Sequence, residues 1–325
     1  MGQLIKLQDY VSRYEQDIYR YPAQFVRLKT QQWQKLKTGF ESGEPAVSLA
    51  ESVHLQPPAE EKGMLGRVKS IFKKNAKEEE AEEEHEEAPA NEESELELMM
   101  PHAARSIDEL KRNFLNQIFK FQLKWASSTL QEKSAVDQIF YFDEKLKFFL
   151  QRFPDTCLVL YKPVFQLQQA PVELDIILVS PVDIWCITIL EGEEDAAFLP
   201  MKGRFWMKKA PKKEEKKVLN PLLSANRTAA VVNRLLTANH IDLPIKKVIL
   251  TRNGYIDYPS PPGDVLFVDK RSFKNWFGRI RGIKTPLKHA QLRSAQVLLD
   301  HCRTSYYSRQ DIEGVKFDGA SGEDI

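Results

Sequence analysis

The chain has 325 residues, 42% hydrophobic and 10% aromatic, with 47 basic and 46 acidic side chains and a net charge of +1. This length and composition allow one or two globular domains with a sizeable core, and no apolar run approaches the roughly 18 residues of a membrane span. Cys157, Cys186 and Cys302 are odd in number and widely separated, which fits buried thiols in a reducing cytoplasm rather than a disulfide framework or a metal site.

The first residues, Met1 to Lys6, lack the apolar core of a signal peptide, and Lys6 stands where a myristoylation motif wants Ser or Thr. Leu4, Leu7, Val11, Tyr14 and Ile18 then recur at spacings of three and four, which predicts a helix over 3–20. Pro22 interrupts it. A second helical piece with Phe25, Leu28 and Leu36 follows, so residues 1–42 are expected to be a helical segment.

Periodicity is lost over 43–104, which holds Pro57-Pro58 and a tract at 78–97 with twelve glutamates and no Lys or Arg. Such a stretch buries too little apolar surface to order itself and is expected to be a disordered linker. Without that tract the chain carries 47 basic against 46 − 12 = 34 acidic residues, or +13. The rest of the protein is basic. One reading makes the tract a phosphate mimic that occupies this basic body when no partner is present. The short basic stretch Met64–Lys77 offers a weak amphipathic pattern for an anionic membrane or nucleic acid.

Order is expected to resume at Ser106, where Ser106-Ile107-Asp108-Glu109 forms a capping box. The stripe Ile107, Leu110, Phe114, Ile118, Phe121, Trp125 predicts a helix within 105–133. A second helix from about Ser134 carries Val136, Ile139, Phe140, Leu146, Phe149 and Leu150 and ends before Pro154. The N-terminal stripes are expected to pack on that of 107–125 as a small bundle. Short β-branched runs then predict strands at Thr156–Tyr161, Leu174–Ser180 and Ile184–Leu190. A helix at Pro221–Asn239, strands at Lys247–Thr251 and Val265–Val268, and helices at about 270–281 and 287–306 come next. Strands, a helix and further strands in this order predict an α/β core over 134–280, with a C-terminal helix and tail over 281–325.

Residues 134–277 resemble the nuclease-related domain (NERD) family, itself similar to the PD-(D/E)XK, restriction-endonuclease-like fold. Roughly two-fifths of the chain is covered. The features that carry the resemblance are Glu173-x-Asp175 before an apolar run and Ser180-Pro181, then a second strand, Gly203-x-x-Trp206, and Asn220-Pro221-Leu222 opening a helix. The resemblance implies a mixed sheet flanked by helices, a bacterial source, and a metal-dependent nuclease site in which Asp175 and Glu173 match acids. Asp143 or Glu144 matches an acid on the leading helix. The catalytic acid and lysine of that pattern are replaced here by Thr188 and Leu190, and its glutamine by Ser224. Of these four central positions, only Asp175 retains the family's side chain. Glu191 and Glu193 are the candidate substitutes. Residues two apart on a strand share a face, so Thr188 and Leu190 go together and Glu191 points away.

Two segments concentrate positive charge. Residues 202–217 hold eight cations against Glu214 and Glu215, and 270–293 hold eight cations and no acid. Lys208, Lys209, Lys212, Lys213, Lys274, Arg279 and Arg281 are the candidate nucleic-acid contacts, since backbone binding needs clustered cations and little else. The structural alternative is a solvated loop and an amphipathic helix whose Phe273, Trp276 and Phe277 lie in the core. Trp185, Cys186 and Trp206 read as core residues. His240, His289 and His301 fit no acid–nucleophile pattern. The reading is a cytoplasmic, non-catalytic member of the nuclease-related family that binds nucleic acid and needs no resident cofactor. Two alternatives stand beside it. One is a Mg²⁺-dependent nuclease with a relocated acid. The other is a scaffold for a protein partner acting through its N-terminal helices.

Overall fold

A computed structural model describes residues 1–42, 104–167 and 170–308. The expected linker over 43–104, the patch Met64–Lys77 and the glutamate tract lie, but for residue 104, outside the described residues. The chain divides into two compact units, Met1–Arg27 with Ile118–Ile325, and Leu28–Gln117.

The larger unit opens with strand β1 (Gln3–Leu7) and the short helix α1 (Arg13–Gln16), not with a helix over 3–20. Ile5 and Lys6, which would lie off the apolar stripe of a helix, are fully buried like Leu4 and Leu7. A segment buried on all sides suits a strand inside a sheet better than an amphipathic helix. Lys6 tolerates this position because its ammonium reaches Glu15, the Tyr10 carbonyl (2.7 Å) and the Thr304 hydroxyl (3.0 Å). Ser12 and Glu15 close a capping box on α1.

Helix α2 (Tyr21–Ser42) and helix α3 (Ile107–Trp125) run through both units. Within the smaller unit, Trp33 packs on Phe114 with ring centroids 5.3 Å apart. The Ser106 hydroxyl accepts from the Glu109 amide at 3.2 Å, while the Glu109 carboxylate reaches the amide of Arg105, one residue before the expected partner. In the larger unit, Tyr14, Tyr21, Phe25 and Phe121 ring Trp125.

After the short strand β2 (Glu132–Lys133), the helix expected from Ser134 is two helices, α4 (Ile139–Phe142) and α5 (Glu144–Arg152). Asp143 makes the break: its carboxylate accepts from the Lys145 amide (2.8 Å) and the Leu146 amide (3.1 Å), which begins a new helix. Strands β3 (Leu158–Tyr161), β4 (Val164–Gln166), β5 (Pro171–Glu173), β6 (Ile176–Val179) and β7 (Ile184–Ile189) follow. Next come β8 (Ala197–Leu199), β9 (Phe205–Lys209), β10 (Lys216–Leu219) and helix α6 (Pro221–Ala238). Strands β11 (Ile245–Leu250), β12 (Tyr255–Ile256) and β13 (Val265–Val268), helices α7 (Phe273–Arg281) and α8 (His289–Asp300), and strand β14 (Tyr307–Ser308) complete the chain.

The fold is mixed α/β. A six-stranded sheet runs β1-β3-β6-β7-β11-β13, with β6 antiparallel to both neighbours and the other pairs parallel. One face packs on α5 and α7 through Phe148, Phe149, Phe153 and Trp276. The other faces α6, whose Ala225 joins Leu190, Ile249 and Val265 in a second core cluster. A four-stranded sheet, β10-β9-β8-β12, supplies Phe198 and Trp206 to that cluster. Sequence periodicity missed this second sheet because its strands are short and many of their residues are lysines or exposed.

Candidate functional site

Asp175 immediately precedes β6. The register Ile176↔Ile187 continues to set Asp175 opposite Thr188 of β7. The Thr188 hydroxyl donates directly to the Asp175 carboxylate. The Asp175 amide donates to the Thr228 hydroxyl of α6 at 3.2 Å. Thr188 is itself buried, so the aspartate is tied to the sheet on one side and to the helix on the other. Thr228 is the site residue that sequence reasoning missed. No local pattern in the sequence ties it to Asp175.

Leu190 borders a cleft at the end of β7, beside Ile189 and Glu191. Its side chain is buried with Ala196, Phe198, Trp206 and Ile249. Its amide donates to the Leu250 carbonyl at 2.8 Å, so β7 keeps its pairing with β11 to its end and no bulge re-aims the acids beyond it. Ser224 accepts from the Arg227 guanidinium at 3.4 Å, a surface contact within α6. Glu173 lies exposed in the small β4–β5 pair, outside the main sheet. Asp143 is occupied in capping α5 and accepting from the Tyr161 hydroxyl at 2.7 Å.

The candidate replacement acids turn elsewhere. Glu191 pairs with Lys145 on α5, the face opposite Leu190, as the alternation of a strand requires. Glu193 takes Lys208 at 2.9 Å and Lys213 at 3.1 Å. The Lys208 hydrogen bond, a backbone hydrogen bond and Lys213 hold its carboxyl down to about 2, against the weaker opposing effect of burial. Glu194 and Asp195 both bind Lys270. On the neighbouring strand β11, Lys247 sits opposite Cys186, and its ammonium is taken by Asp264 and by Asn226 (2.7 Å). Among the described residues, no three His, Cys, Asp or Glu side chains converge as a metal-holding group.

At the same edge of the sheet, on the α5 face, lies a cleft of about 200 Å³ lined by Lys145, Phe148, Ile189, Glu191, Arg252 and Asn253. Burial lowers the Lys145 ammonium below its ordinary range. Asp143 opposes that shift, and the nearby Lys162 and Arg252 reinforce it. The cleft balances cations against carboxylates and contains no nucleophile–base pair.

The expected basic contacts divide. Lys208 and Lys213 are spent on Glu193, and Lys209 pairs with Glu215 at 2.7 Å. Lys212 is exposed in the β9–β10 turn, with a φ of 59°. Lys274, Arg279 and Arg281 are exposed on α7, Arg281 lying over the Phe277 ring at 5.5 Å. Trp276 on the same helix is buried against Phe153 and Trp185, so the aromatics interleaved with these cations belong largely to the core. Trp206 is likewise buried, beside Tyr258 and Phe267. The three described histidines are scattered. His240 follows the end of α6, His289 stacks on Tyr19 and His301 bonds to the Val297 carbonyl.

No family model matches the chain. A curated relative, an RNA 2′,3′-cyclic phosphodiesterase of Geobacillus stearothermophilus, is 34% identical over 128 residues. The match covers 38% of this chain and 36% of that protein, so the chain spans about a third of the relative's length. No solved structure matches. No helix among the described residues is long and apolar enough to cross a membrane.

Proposed function

We propose that this protein is a non-catalytic nucleic-acid-binding protein built on a nuclease-related core whose hydrolytic site has been closed. One observation carries this reading: Asp175 is hydrogen-bonded to Thr188 while Leu190, two residues on, is packed in the core. Metal-assisted hydrolysis needs a carboxylate set around the ion and a means of activating water. A lone aspartate, already engaged by a hydroxyl, supplies neither. The neighbouring glutamates are engaged by lysines, which favours retained charge over retained chemistry. Exposed cations at Lys202, Arg204, Lys212, Lys217, Lys274 and Arg279 carry no ion pair among the described residues and suit contacts to phosphates. The name of the curated relative favours RNA as the ligand.

That same name motivates a second reading, an RNA phosphoester-processing enzyme. Assays of single-stranded RNA, plasmid DNA and 2′,3′-cyclic nucleotides with Mg²⁺ or Mn²⁺ separate the two. The first reading expects no turnover, binding with a steep negative salt slope, and an Asp175→Ala variant that binds within about twofold of wild type. Turnover lost in Asp175→Ala overturns it.

A further inference from the structure

We infer that the outer face of the β9–β10 hairpin is a stacking platform for single-stranded nucleic acid, with Phe205 as the residue that takes an unpaired base. This deepens the reading above and rests on it.

Alternation along β9 splits its residues between two faces. Trp206 points inward and is 1% exposed in the core cluster, whereas Phe205, on the other face, is 47% exposed. The antiparallel register pairs Phe205 with Leu219, itself 53% exposed, and Met207 with Lys217. Lys209 continues the outer row. Residues directly opposite in such a ladder have Cβ atoms about 5 Å apart, and successive outward positions on one strand are about 7 Å apart. The outer face therefore presents a ring and an aliphatic side chain bordered by Lys217, with Arg204 and Lys202 in the adjoining turn; Lys209, further along the row, is paired with Glu215.

The hairpin is firmly seated. Trp206 and Val218 pack inward as a pair, and Asn220 closes the open end, its amide on the Arg204 carbonyl (2.9 Å) and its side chain on the Gly203 carbonyl (3.1 Å). Gly203 has a φ of +96°, which glycine adopts at little cost. An exposed aromatic–aliphatic pair on a fixed edge ribbon costs solvation in the free protein, so its occupant must offer an apolar surface. Of the eight cations over 202–217, Lys208, Lys209 and Lys213 are paired with glutamates, and the remaining Lys202, Arg204, Lys212, Lys216 and Lys217 favour an anionic occupant. A single strand meets both demands because its bases have free faces and its backbone carries phosphates. In a duplex the base faces are already stacked on one another.

The test is fluorescence anisotropy of the full chain with labelled oligo-U, oligo-dT and a blunt duplex of equal length. Phe205→Ala is expected to weaken single-strand binding by about 5- to 100-fold and duplex binding by less than about twofold, with Phe205→Trp restoring the single-strand affinity. Lys217→Ala should reduce the steepness of the salt dependence. Unchanged single-strand affinity in Phe205→Ala, while wild-type binding remains salt-sensitive, overturns the platform and leaves the binding function standing. Equal loss on single strand and duplex also overturns it. If wild type binds none of the three nucleic acids, both proposals fall.

Discussion

Two side chains decide the chemistry at Asp175. The Thr188 hydroxyl satisfies the Asp175 carboxylate directly. Leu190 fills apolar space between the main sheet and the smaller one. A lysine in place of Leu190 creates no site, because an ammonium among Ala196, Phe198 and Trp206 loses its hydration without gaining a partner. Leu190→Lys is therefore expected to destabilise the protein by at least about 2 kcal/mol in urea unfolding and to gain no Mg²⁺-dependent cleavage. The two strands that bring Asp175 and Thr188 together were legible in the sequence as neighbouring apolar runs. Thr228, which holds the Asp175 amide, was not, because nothing local ties residue 228 to residue 175.

The clearest ionic link between elements joins the turn after β7 to the β9–β10 hairpin, where Glu193 accepts from Lys208 and Lys213. Its carboxyl, chiefly through the Lys208 hydrogen bond, sits at about 2 in the folded protein against an ordinary value of 4.5. A folded value below the unfolded one means that the link is fully stabilising above the unfolded value and is lost as pH falls toward the folded one. The difference in urea midpoint between wild type and Glu193→Gln should accordingly shrink between about pH 5 and about pH 2. A difference that stays constant across that window would show the pair to be thermodynamically silent. The same scale explains the misread N-terminus. Spacing of Leu4, Leu7 and Val11 satisfies a helical stripe, but burial of Ile5 and Lys6 and pairing with β3 make residues 3–7 a strand.

Charge acts over the whole molecule. Twelve glutamates at 78–97 bring a chain of +13 down to +1, and like-signed charge repels a polyanion at distances up to the Debye length, about 8 Å at physiological salt. Deleting 78–97 should raise nucleic-acid affinity at low ionic strength, with the gain fading as salt is added. Affinity that does not change at any salt concentration would leave the tract with no part in binding.

The sequence by itself determined the α/β class and the main order of strands and helices from Leu158 onward. These depend on local periodicity, capping chemistry and spacing along the chain. Only the tertiary structure decided that β1 joins the main sheet, that β8, β9, β10 and β12 form a second one, and that Glu191 and Glu193 are claimed by lysines. Those outcomes depend on partners distant in sequence, whose burial and charge overrule what a short window of residues prefers.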